Sequence, residues 1–82
     1  MPNFTYVYIL ESDIVPQQRY FGLTDDLKQR LSEHNRGTSR HTSKYKPWRI
    51  RAAIAFRERH RAAEFEKYMK THSGRVFSKR WF

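Results

Sequence analysis

The spacing of apolar and polar residues divides this chain into strands and helices. From Phe4 to Leu10 the sequence FTYVYIL is aromatic, β-branched and apolar without a break, the pattern of a buried strand. ESDIVPQQ follows. It is polar, carries Pro16, and reads as the turn of a long hairpin whose returning strand is RYFGL, Arg19 to Leu23. Gly22 ends that strand or lets a neighbour come close. TDDLKQRLSEHNRG then takes helical spacing: Thr24 or Asp25 caps the start, acidic residues fill the first turn, and Gly37 follows the end. TSRHTSKYKP, Thr38 to Pro47, is polar, basic and closed by proline, hence an exposed loop. WRIRAAIAF, Trp48 to Phe56, alternates as a third strand. Ile50, Ala52, Ile54 and Phe56 share one face; Arg49, Arg51, Ala53, Ala55 and then Arg57 share the other. ERHRAAEFEKYMKTH is a second helix. SGRVFSKRWF begins at a cap on Ser73 and ends in a short helix or turn. The order β-β-α-β-α predicts an α+β fold: a small three-stranded antiparallel sheet flanked by two or three helices, one domain over residues 1–82.

Composition narrows the class. A chain of 82 residues holds one small core. It has no cysteine, which excludes disulfides, thiolate metal sites and a cysteine nucleophile. No apolar run approaches the ~18 residues of a membrane span, and no signal-peptide pattern opens the chain. A soluble, cytoplasmic protein without a membrane partner is expected. Charge changes the picture most: 17 Lys and Arg against 8 Asp and Glu give a net charge of +9. A small patterned domain that basic meets a polyanion, and nucleic acid is the expected partner.

Two helical faces carry polar residues where apolar ones belong. On the first helix Leu27 and Leu31 define the buried stripe, and Arg30 and His34 lie on or beside it. On the second, Ala62, Phe65 and Met69 define the stripe; Glu66 shares it, while Glu64 points roughly the opposite way. An arginine and a glutamate aimed at a core are costly unless paired or used. Two readings stay open: an Arg30–Glu66 ion pair, or a cleft holding an arginine for a phosphate and a carboxylate for a metal. Tyr8 on the first strand and Tyr20 on the second add two phenols that face the helices carrying Arg30 and Glu66.

YVY at Tyr6–Tyr8, YFG at Tyr20–Gly22, Arg30 ten residues after Tyr20 and a late helical glutamate together resemble the GIY-YIG nuclease superfamily. The likeness is strongest to its small single-domain bacterial members, which resemble the nuclease domain of the bacterial nucleotide-excision repair endonuclease and the Slx1 structure-specific endonucleases. It runs from about Phe4 to Phe77, through YVYIL, YFGLTDDLKQRLSEHN, KPWRI and FEKYMKTHSGRVF in order. The resemblance implies Tyr8, Tyr20, Arg30, His34 and Glu66 as catalytic residues, with Glu66 the single metal-binding carboxylate and Tyr20 beside the attacking water. Tyr6 stands in place of the name motif's glycine and Phe21 in place of its isoleucine. Leu23 replaces a lysine of the repair nuclease. An asparagine that some members carry after the metal-binding helix is lacking, and Ser73 and Ser78 are the nearby polar residues.

The resemblance further implies phosphodiester hydrolysis with one divalent cation, Mg²⁺ or Mn²⁺. The expected activity is a metal-dependent endonuclease acting on branched, nicked or damaged DNA in repair or recombination, with a protein partner directing it to substrate. Arg36, Arg40, Lys44, Lys46 and Arg49 supply backbone contacts, which give affinity without sequence specificity. Tyr45 and Trp48 are placed to stack on an unpaired base, and for Trp48 the alternative is core packing at the start of its strand. The competing reading is a non-catalytic nucleic-acid adaptor that keeps the same fold.

Overall fold

The structure, a computed structural model, describes residues 3–37 and 40–82. Thr38 and Ser39, the first two positions of the expected loop, and Met1 and Pro2 lie outside the described residues. The first strand is β1, Thr5–Ser12, and seven of its eight residues are buried. A strand covered on both faces needs an unbroken apolar run, and this one supplies it. β2 (Arg19–Thr24) and β3 (Trp48–Phe56) flank it in the order β2-β1-β3, antiparallel throughout. The sheet is therefore the expected three-stranded antiparallel one, with the hairpin's return strand at one edge.

The helices α1 (Leu27–Asn35), α2 (Arg59–Met69) and α3 (His72–Trp81) complete the order β-β-α-β-α-α. They divide between the two faces of the sheet. Tyr8, Leu10 and Trp48 form one core with Tyr20, Leu27, Leu31 and Tyr45 under α1. Ile9, Phe21 and Met69 form the other with Ala52, Phe65, Phe77 and Phe82 under α2 and α3. The helices bearing Arg30 and Glu66 thus lie on opposite sides of the sheet, and only α1 faces the phenols. No helix among the described residues is long and apolar enough to cross a membrane.

Two helix caps and one strand register differ from the sequence reading for long-range reasons. The α1 cap is Asp26, whose carboxylate accepts from Gln29 N at 3.0 Å. Asp25 is occupied elsewhere: it accepts from Thr5 Oγ1 at 2.8 Å and from Arg59 at 2.9 Å. The last helix is capped by Thr71, not Ser73; its hydroxyl oxygen accepts from Gly74 N at 3.1 Å, so α2 stops at Met69 and α3 starts almost at once. The alternation of β3 is interrupted. Ile9 pairs with Ala52, but Leu10 pairs with Ile50, which leaves Arg51 as the extra residue of a bulge. Ala52, Ile54 and Phe56 keep register with the Ile9 face, whereas Ile50 and Trp48 come opposite Leu10 and Ser12. Trp48 is consequently a core residue at 4% exposure, its indole Nε1 donating to the Thr42 carbonyl at 2.8 Å. It is not a stacking platform.

Candidate active site

Gly22 determines where the site forms. It lies opposite Tyr8 across the β1–β2 ladder, and with no side chain of its own it lets the Tyr8 ring lie over β2. The Tyr8 hydroxyl then meets two groups from α1. Arg30 Nε donates to it at 3.2 Å, and His34 Nε2 lies 3.1 Å away. On the other side of the imidazole, Nδ1 is 2.9 Å from Thr42 Oγ1. A neutral imidazole carries one proton, so the chain of hydrogen bonds runs from Tyr8 to Thr42 in one tautomer and in reverse in the other. In either direction each of these atoms keeps a partner, and no buried side-chain polar atom among the described residues lacks one. Tyr20 stands half-buried beside them, its ring centroid 4.7 Å from that of His34 and 6.2 Å from that of Tyr8.

Access separates these groups. Tyr8 and His34 are 1% and 0% exposed, whereas the Arg30 side chain is 37% exposed. Burial raises the Tyr8 pKa and outweighs the opposing hydrogen bond from Arg30, so the phenol stays protonated at neutral pH. Burial, followed by the Arg30 cation, lowers the His34 pKa, against a smaller raising effect of Glu33. Arg30 is held more firmly as a cation by the Glu33 carboxylate at 2.8 Å, then by the Tyr8 hydroxyl, with a smaller contribution from Tyr20.

Neutral His34 links this site to stability. The unfolded chain takes up a proton near the ordinary histidine value of 6.5, and the folded chain resists until lower pH. The stabilisation is therefore complete above about pH 6.5 and is lost as pH falls below it. Denaturant midpoints measured across that window are expected to drop for the wild type and to flatten in His34→Gln. The Glu11 carboxylate, held below its usual 4.5 first by the Arg49 hydrogen bond, contributes only further into acid.

Glu66 comes from the far side of edge strand β2. Its side chain is 18% exposed, and its charge is felt at the Tyr8 hydroxyl. The two open readings of Arg30 and Glu66 are resolved against the mutual ion pair. Arg30 binds Glu33 three residues on, and Glu66 binds Lys70 four residues on at 2.6 Å. Glu64 is exposed. Among the described residues no three His, Cys, Asp or Glu come together, so a metal here would have fewer than three such ligands.

Of the expected nucleic-acid contacts, Arg36, Arg40, Lys44 and Lys46 are exposed around the segment after α1. Arg49 is tied to Glu11 at 2.7 Å and Asp13 at 3.4 Å at the end of the sheet. Ser78, a stand-in for the lacking asparagine, faces the other core and accepts from Arg19 at 3.1 Å. Three site residues were not singled out in the sequence. Glu33 and Lys70 were legible from helical spacing. Thr42 gave no signal, because it sits in a polar loop and is buried only by the path of that loop.

Arg30, Tyr8 and His34 thus form one hydrogen-bonded cluster over Gly22, with Tyr20 beside it, on a small α+β sheet. Residues 4–80 match the model of the GIY-YIG catalytic domain, and the chain belongs to that family, a class of endonucleases. It is similar to the "Structure-specific endonuclease subunit SLX1 homolog" of Giardia intestinalis, 40% identical over 48 residues, which cover 55% of this chain and 13% of that protein. No solved structure matches the chain.

Proposed function

We propose that this chain is a divalent-metal-dependent endonuclease that hydrolyses DNA phosphodiester bonds, selective for branched, nicked or damaged DNA, and serving repair or recombination. One observation carries the reading: Arg30, partly exposed, is locked onto Tyr8 beside Tyr20, in a chain whose residues 4–80 match the GIY-YIG catalytic domain. The relative's printed name supports structure selectivity and a role within a larger assembly, hence a partner that directs the enzyme.

Arg30 offers guanidinium donors to a phosphate and neutralises charge as it builds there. Tyr20 positions the attacking water. Tyr8 and His34, both buried, act as positioning residues that fix the Arg30 fork and the Tyr20 ring. Glu66 holds the cation. One partly buried carboxylate suits a hard ion such as Mg²⁺ or Mn²⁺ that keeps most of its water. When bound, such an ion supplies positive charge at the phosphate and the leaving oxygen.

The test is cleavage of labelled single strand, duplex, flap, fork and four-way junction with Mg²⁺, Mn²⁺ or EDTA. Cutting is expected with a metal, none with EDTA, and a loss of about 100-fold or more in Arg30→Ala. Salt-sensitive binding without any cutting would make the chain an adaptor.

A further inference from the structure

A second basic surface lies on the other side of β2. Strand β2 pairs with β1 alone, so its outer edge is open. Successive residues of a strand point to opposite faces. Tyr20 and Gly22 therefore serve the site under α1, and Phe21 between them faces α3. There, between β2 and α3, runs a groove of about 480 Å³, open to solvent. Arg19, His72, Arg75 and Lys79 line it, with Phe21 in its wall and Gln18 at its end. No aspartate or glutamate lines it, and α3 contains none.

Its cations are arranged rather than scattered. Arg19 is held by Ser78 Oγ at 3.1 Å and by the Phe82 carbonyl at 3.3 Å. Arg75 lies over the Phe21 ring, 5.8 Å from its centroid, and its Nε donates to the Lys70 carbonyl at 3.4 Å. The Arg75 bond is to a carbonyl and neutralises no charge, so its guanidinium remains available to an anion, whereas Arg19 lies opposite Glu11 across the β1–β2 ladder. The structure carries such cations on both flanks of one unpaired strand edge.

We propose that this groove is a second nucleic-acid site, which holds the phosphate backbone of one arm of a branched DNA while the other arm occupies the site at Arg30 and Tyr20. It rests on the nuclease reading above and deepens it. Strand β2 stands as a wedge between the arms, so a fork or flap satisfies both surfaces at once and a continuous duplex satisfies one. Phosphate contacts position the arm and carry no sequence information.

Binding is measured in EDTA, where nothing is cut, on a labelled fork and on a linear duplex of equal length. The proteins are the wild type, Lys79→Glu and Arg75→Gln. Lys79 is exposed on α3, so its reversal leaves the fold intact, as thermal unfolding checks. The wild type is expected to favour the fork. Each variant is expected to lower fork affinity about tenfold, and Arg75→Gln to lower the slope of log affinity against log salt by about one, with little change on the duplex. An unchanged fork preference, or an equal loss on both DNAs, overturns the proposal. If the fork preference depends on Lys79 but the wild type never cuts with metal, the groove stands and the nuclease reading fails. Cutting with no groove effect is the reverse result.

Discussion

Glu66→Gln is expected to lower cleavage about a thousandfold while leaving DNA binding in EDTA intact. The substitution keeps the side chain's shape and removes its charge, which is what a hard cation needs. The fold has little at stake. The Glu66–Lys70 pair is a partly exposed i,i+4 contact with Lys70 half in solvent, worth about 0.3–0.5 kcal/mol. Loss of the carboxylate also removes repulsion toward phosphate, so affinity in EDTA is expected to hold or rise slightly. Glu64→Gln is the control on the same helix; Glu64 is exposed, and its loss leaves cleavage unchanged. A Glu66→Gln protein that cuts like the wild type would remove Glu66 from the site. Equal loss of cutting and binding would point to a structural role instead.

Gly22→Ala is expected to lower cleavage about 100-fold and to destabilise the fold by about 1–3 kcal/mol. A β-carbon at this position falls inside van der Waals distance of Tyr8 Cζ and Oη. The ring has nowhere to retreat. Arg30 and His34 hold its hydroxyl from one side, and the Tyr20 and His34 rings pack around it. The chain must break the Arg30–Tyr8 hydrogen bond or bend β2 away from β1. Either displaces the guanidinium that meets the phosphate. Steady-state cleavage alongside a urea melt separates the two effects. An alanine protein with wild-type rates would mean that the Tyr8–Arg30 contact does not matter to the chemistry.

Much of this arrangement was legible in the sequence because it depends on local rules. Strand and helix periods placed β1, β2, α1 and α2 within a few residues. The stripes put His34 and Glu66 on inward faces, where both are found. Periodicity shows which side of a helix is buried but not which face of the sheet receives it. α1 and α2 were therefore expected to share a side that they do not share. The bulge at Arg51 escaped for a related reason: the ladder with β1 decides it, and the β3 sequence alone carries no mark of it. Arg30 and Glu66 were weighed as partners across the core. The nearer candidates Glu33 and Lys70, three and four residues away, took those places instead. The cap moved to Asp26 because Thr5 and Arg59 claim Asp25 from other elements.

The bulge gives β3 two allegiances within nine residues. Its first half delivers Trp48 to the core under α1, and its second half delivers Ala52 to the core under α2 and α3. The strand thus works as a phase-shifter, and length changes do not affect the chain evenly. The polar loop after α1 can gain or lose residues at the modest cost of loop closure. Deleting Arg51 itself would leave Ile50 opposite Leu10 and Trp48 opposite Ser12, because the strand would then alternate without a bulge. Deleting Arg49 with the bulge kept would instead bring Trp48 opposite Glu11 and onto the other face, and its hydrogen bond to Thr42, the residue that orients His34, would be lost. Loss of one exposed arginine, far along the sequence from Arg30, would therefore dismantle the site from beneath.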